Sequence, residues 1–194
     1  MGRKISFNKQ AALISCMNLF WQKGYDAISF RDLQSITALS GRSLIHSFGD
    51  KRAIFQLCVE QYLDYVEAIL NEYSNLNNTH CIELFFKDFT TGKIEDNRKF
   101  GCFLLNSMKG TLENDTQFLE DFTQFKTRLN AFFTAQLKLI HIKDAKKKSE
   151  VFFSLLISGL IKISLYQDTK MMQSEYQSVC LLLNQWRLES DSTN

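Results

Sequence analysis

An all-α fold follows from three features of the chain. Its 194 residues include no proline and only eight glycines, and proline is the residue that breaks a helix by removing a donor and clashing with the preceding turn. Apolar residues recur at intervals of three and four, the period of an amphipathic helix. The breaks between these stretches carry helix-stop and helix-start residues, with Gly after one run and Ser or Asp before the next. Hydrophobic residues make up 45% and charged residues 23%, a globular composition that excludes wholesale disorder.

The elements follow in order. A first helix is predicted from about Asn8 to Lys23, with Ala12, Cys16, Leu19 and Phe20 on one face and Gly24 ending it. A second starts after Ser29, whose pairing with Asp32 three residues on is a capping box, and ends near Ile36, with Leu33 and Ile36 pointing inward. The turn is 37–39. Ser40 caps a third helix ending near Ser47, and Asp50 caps a fourth that runs into the low seventies. A loop at 75–79 (NLNNT) follows. Five more helices are predicted at roughly 80–90, 97–109, 116–140, 144–166 and 173–187, about nine in all. The clearest carries the stripe Phe118, Phe122, Phe125, Leu129, Phe132, Phe133 and Ile140. Residues 1–6 read as a disordered arm and 190–194 as a polar tail.

Two short helices joined by a tight turn form the helix-turn-helix unit, whose second helix can enter the DNA major groove. Charge agrees. Residues 1–51 hold seven Lys/Arg (Arg3, Lys4, Lys9, Lys23, Arg31, Arg42, Lys51) against three acids (Asp26, Asp32, Asp50), a balance of +4 in a chain whose net charge is +2. The remainder is therefore −2, and the basic end is the end that would meet phosphate. Two domains are expected: 1–52 for DNA binding and 53–194 for ligand binding and dimerisation, connected by the fourth helix.

Five scattered cysteines, none in a C-x-x-C pair, fit reduced thiols in the cytoplasm. No signal peptide is visible. The most apolar window, 151–166, falls short of the ~20 apolar residues of a membrane span, so no membrane partner is expected. No metal-ligand cluster, phosphate loop or nucleophile–base pair is present, and hence no metal, no cofactor and no catalytic residue is expected.

Leu19-Phe20 with Gly24-Tyr25, then Ile28-Ser29, then Ser40-Gly41 with Leu44, His46 and Phe48, make a run that resembles the DNA-binding domain of TetR-family transcriptional regulators, in particular an AcrR-like subgroup. A typical member shows LF-x-x-x-GY, then a Ser/Thr start to helix 2, then G-[VI]-S-x-G-x-[LF]-Y-x-[HY]-F. Here these are Leu19-Phe20-Trp21-Gln22-Lys23-Gly24-Tyr25, Ile28-Ser29, and Leu39-Ser40-Gly41-Arg42-Ser43-Leu44-Ile45-His46-Ser47-Phe48, followed by Asp50-Lys51-Arg52-Ala53-Ile54-Phe55. Gly2-Arg3-Lys4 is similar to the family's basic arm. Three positions depart from the pattern. Ala38 replaces the turn glycine, which costs strain if its φ is positive. Arg42 replaces a small residue and adds a guanine-matching fork. Ile45 replaces a tyrosine that lies against phosphate in the family.

The resemblance implies that Ser29 and Lys51 lie near phosphates, that Ser40, Gly41, Arg42, Ser43 and His46 face the groove, and that Arg3 and Lys4 reach an adjacent minor groove. It also implies a homodimer, here expected through Leu156, Ile157, Leu160, Ile161, Val179, Leu182, Leu183 and Trp186. The helix at 144–166 is apolar nearly all round, and a partner subunit is the easiest cover.

The second half is rich in phenylalanine. An apolar pocket is expected from Cys102, Phe103, Phe122, Phe125, Phe152 and Lys162, with core filling the alternative for each ring. Gly101-Cys102-Phe103-Leu104-Leu105-Asn106 is similar to a subgroup run whose cysteine in some members senses electrophiles or oxidants. Lys162 is a candidate for lowering that thiol's pKa, and an inert buried cysteine is the alternative. The function these readings point to is a repressor, not an enzyme, released from a palindromic double-stranded DNA operator by a small apolar or thiol-reactive effector. The alternatives are a helical adaptor that has lost DNA binding, or a small helical enzyme.

Overall fold

The computed structural model describes residues 7–76, 78–90, 96–108 and 110–191. Among them the chain forms nine α-helices and three short 3-10 turns, with no strand. The α-helices are α1 (Lys9–Lys23), α2 (Phe30–Thr37), α3 (Gly41–Phe48), α4 (Lys51–Asn75), α5 (Cys81–Thr90), α6 (Phe103–Ser107), α7 (Thr116–Leu139), α8 (Ala145–Tyr166) and α9 (Gln173–Asp191). They fall into two compact units: Met1–Asp64 with Phe103–Asp115, and Tyr65–Cys102 with Thr116–Asn194. The division differs from a cut after residue 52, because the first half of α4 and a distant segment both pack with the N-terminal helices.

In the first unit, local chemistry sets each helix end. Asn8 Oδ1 accepts the Ala11 N–H at 3.1 Å to start α1, and the Gly24 N–H closes it onto the Phe20 carbonyl. Gly24 has φ 76°, and a Cβ there would sit 2.8 Å from the Asn106 carbonyl oxygen, so both backbone and space require glycine. Ser29 and Asp32 cap α2 reciprocally, Ser40 caps α3, and Asp50 Oδ1 accepts the Ala53 N–H at 2.8 Å in the first turn of α4. The core is aromatic: Phe20 and Phe55 centroids are 5.2 Å apart, Trp21 and Tyr62 5.1 Å, and Phe103 lies 5.6 Å from Phe55 and 5.3 Å from Tyr62. Polar bonds fasten 103–115 to the same unit. The Asn106 side-chain amide donates to the Trp21 carbonyl at 3.0 Å, the Thr111 N–H and hydroxyl donate to Asp26, and Arg52 pairs with Asp115 at 2.6 Å.

In the second unit, α5, α7, α8 and α9 surround Phe85, Phe86, Phe132, Phe133, Phe152 and Trp186, neighbouring rings being 5.4–6.4 Å apart. The predicted stripe on α7 is buried at Phe118, Phe125, Leu129, Phe132 and Phe133 and half-buried at Phe122; Ile140 lies just past the helix end. The helix expected over 97–109 is interrupted. Asp96–Phe100 is a 3-10 turn, Gly101 has φ 75°, and only Phe103–Ser107 is α-helical. A Cβ on Gly101 would meet the Leu160 carbonyl oxygen at 2.3 Å, which ties this break to α8.

α8 is, among the described residues, the helix long and apolar enough to cross a bilayer by length and composition alone. It packs along α7, and its Lys162 is paired with Glu175 of α9, at 2.5 Å. It is not buried on all sides: Ile161, Leu165 and Tyr166 are exposed.

Candidate nucleic-acid interface

α3 turns one residue inward and most of the rest outward. Leu44 is fully buried, while Arg42, Ser43, Ile45 and His46 are exposed. The turn before it is set by Ala38 at φ 54°, ψ 25°, a left-handed conformation in a residue with a Cβ. Gly41 lies against α2, where an added Cβ would be 3.0 Å from the Gln34 amide nitrogen. Its smallness therefore serves the α2–α3 contact. Ile36, expected inside, is 49% exposed. In so short a helix the single buried residue, Leu33, occupies the inward face.

The other expected DNA contacts are placed as follows. Ser29 is exposed, but its hydroxyl donates to the Asp32 carboxylate at 2.6 Å and accepts the Asp32 N–H; the hydroxyl and the Ser29 backbone N–H, both donating to that carboxylate, hold it below its usual range. Ser40 and Ser43 hydroxyls are 2.9 Å apart at the start of α3. Lys51, at the first position of α4, is half-buried with its ammonium 4.1 Å over the Tyr25 ring. Desolvation lowers its pKa, against the opposing pull of Asp26. Arg42 has no ion-pair partner among the described residues. Arg3 and Lys4 lie outside the described residues. Arg31 is a further exposed cation, in the first turn of α2.

The residues expected around an effector fall in both units. Phe103 belongs to the aromatic core of the N-terminal unit. Phe152 is fully buried against Phe133 and Trp186. Phe122 neighbours Phe125, which neighbours Phe153. Cys102 is 1% exposed. Lys162 is bonded to Glu175 and Ser174. Two surface clefts in the second unit are lined by other residues. One of about 640 Å³ runs along Lys126, Asn130, Thr134 and Lys138 of α7 to Lys146 and Glu150 of α8. One of about 310 Å³ lies between His80, Glu83 and Lys87 near α5 and Tyr176, Cys180 and Arg187 of α9.

Of the residues expected at a subunit interface, Leu156, Leu160, Val179, Leu183 and Trp186 are buried within the chain itself. Ile157 and Leu182 are half-buried and Ile161 is 45% exposed. The outward apolar residues of α8 and α9 are Val151, Ile161, Leu165, Leu181 and Leu188.

This arrangement is that of an all-α helix-turn-helix protein with an outward-facing second helix. The profile described as "Bacterial regulatory proteins, tetR family" matches residues 15–58. The chain is 38% identical over 110 residues to the HTH-type transcriptional repressor ComR of Escherichia coli, covering 55% of this chain and 52% of ComR, so it spans about half the length of that relative. It is 25% identical over 141 residues to the uncharacterized HTH-type transcriptional regulator YezE of Bacillus subtilis, covering 71% of this chain and 73% of YezE. Its fold is similar to that of a cysteine mutant of the TetR-family regulator CifR complexed with a 26-base-pair operator DNA, with TM-score 0.77 and 16% identity over 91% of this chain and 97% of that one. Over residues 15–58, which include α2 and α3, the chain is similar to the tetR family of bacterial regulatory proteins.

Proposed function

We propose that the chain is a DNA-binding transcriptional repressor that acts in the cytoplasm as a homodimer on a two-fold symmetric operator. The observation that carries this reading is the capped α2–turn–α3 unit with Arg42, Ser43 and His46 facing outward. Arg42 is the guanine reader, since a bidentate Arg–guanine pair is the commonest specific contact. Ser29 and Lys51 hold the phosphate backbone, helped by the amide groups at the starts of α2 and α4, while Ser40, Gly41, Ser43 and His46 face the groove beside Arg42. For Ser29 this requires its hydroxyl to share or leave Asp32.

The outward apolar residues of α8 and α9 supply the dimer face, which would set the two recognition helices about 34–36 Å apart, one turn of B-DNA. A small apolar or thiol-reactive effector acts on the C-terminal unit by favouring dimers with the wrong spacing. The route to the DNA-binding unit is covalent. Residues Phe103–Asp115 pack in the N-terminal unit, and the chain on either side of them, through Cys102 and from Thr116, belongs to the C-terminal unit.

The test is protection of DNA beside the chain's own gene by the purified protein, repeated across salt. Sequence-selective protection whose affinity falls steeply and linearly in log[salt] is expected. Arg42→Ala should relax preference at one base pair per half-site, at about 1–3 kcal/mol. Absence of any selective binding would refute the reading.

A further inference from the structure

Ile45 is 57% exposed on the outward face of α3. Arg42 lies one turn earlier on that face, and His46 follows it. Buried Leu44 already fills the inward position, so Ile45 is not needed to hold α3 in place. An isoleucine offers phosphate no hydrogen bond. The base edges of the major groove are polar donors and acceptors with one apolar exception, the C5-methyl group of thymine. Side chains three apart on a helix stand about 5–6 Å from each other, and successive base pairs rise about 3.4 Å. A base reached by Ile45 therefore lies within about two base pairs of one reached by Arg42.

We infer that Ile45 reads a thymine methyl group in each operator half-site, within two base pairs of the guanine read by Arg42. The inference rests on the DNA-binding function proposed above. It adds a sequence requirement, G and T in close succession, to a position where the family pattern has a tyrosine.

The test uses the full-length protein and the operator found by protection. Each thymine is replaced in turn by deoxyuridine, which removes the methyl group and leaves base pairing unchanged. One thymine per half-site, within two base pairs of the position relaxed by Arg42→Ala, should weaken binding about fourfold when replaced. Replacement in both half-sites should weaken it roughly fifteenfold, as loss of one buried methyl-sized group per site requires. Ile45→Ala should bind thymine and uracil operators within about twofold of each other. Ile45→Val, which keeps a branched apolar tip, should retain part of the discrimination. Two results overturn the inference alone: selective binding in which no thymine-to-uracil change matters, or a methyl effect that persists in Ile45→Ala. A protein that protects no sequence overturns both this inference and the DNA-binding reading.

Discussion

Lys162 Nζ of α8 stands 2.5 Å from Glu175 Oε1 of α9, and the carboxylate is 3% exposed. Burial alone would raise the Glu175 pKa. The bonds from Lys162, Ser174 and Ser158 outweigh it and hold the carboxyl below its usual range. Lys162, itself partly exposed, is therefore the counter-ion of a buried acid.

Removing the cation should cost more than removing the pair. Lys162→Met is expected to destabilise by about 1–3 kcal/mol, because a buried carboxylate loses its partner. In Lys162→Met with Glu175→Met, part of that loss should return. The pH dependence has a definite sign. Glu175 has a lowered folded pKa, so its contribution is present above the unfolded value near 4.5 and is lost as pH falls through the lower folded value. Urea titrations of the wild type and Glu175→Gln across that range check it. Equal acid sensitivity in both would show that the pair does not govern acid stability.

Ala38 holds φ 54° in the helix-turn-helix turn. Glycine adopts that conformation without a Cβ clash, so Ala38→Gly should stabilise by about 0.5–1 kcal/mol once the entropy of the unfolded chain is deducted. A rise of roughly 1–4 °C in Tm is the expected reading. Ala38→Val should lower Tm, since a β-branched residue fits the left-handed region poorly. A Tm that falls in Ala38→Gly would mean the turn is unstrained.

The outward and inward residues of α8 should behave differently. Ile161→Glu with Leu181→Glu is expected to give a folded monomer in sedimentation and light scattering, with helicity unchanged. Leu156→Ala, at a site 1% exposed, should keep the dimer and lose about 2–5 kcal/mol of stability. An unmodified protein that is monomeric at micromolar concentration would contradict the proposed assembly.

Thiol reactivity should follow burial. Cys180, in the cleft beside Tyr176 and Arg187, is half-buried, whereas Cys16, Cys58, Cys81 and Cys102 are buried. Burial pushes the Cys16 thiol up to about 11 and Cys58 higher still. Alkylation of the folded protein followed by mass spectrometry should label Cys180 first and the other four only slowly. Faster labelling of Cys102 would instead favour it as the thiol that meets an effector.

The helix ends were legible because their causes are local. Asn8, Gly24, Ser29, Ser40 and Asp50 act within four residues of themselves. The break at Gly101 was not, since what demands it is the Leu160 carbonyl, far along the chain. The same holds for Phe103, whose neighbours Phe55 and Tyr62 lie in another part of the sequence. On α8, apolar letters occur nearly all round. Only the packing of α7 and α9 tells Leu156 and Leu160, inside, from Ile161 and Leu165, outside. At the candidate interface, α3 was readable from its Ser40 cap, and the outward placing of Arg42, Ser43 and His46 from the family resemblance. The engagement of Lys51 with Tyr25 was not, because it depends on how α1 leads into α2.

The return of Phe103–Asp115 to the N-terminal unit also bears on how the protein is born. When synthesis reaches Asp64, Trp21, Phe55 and Tyr62 still lack Phe103, and Asp26 and Arg52 lack Thr111 and Asp115. The next 51 residues, from 65 to 115, take a ribosome roughly 3–10 s at ordinary elongation rates. For that interval the unit that carries α3 is an unfinished core on a growing chain. A nascent chain arrested before residue 103 should expose those rings to a hydrophobic dye, and one arrested well past residue 115 should not.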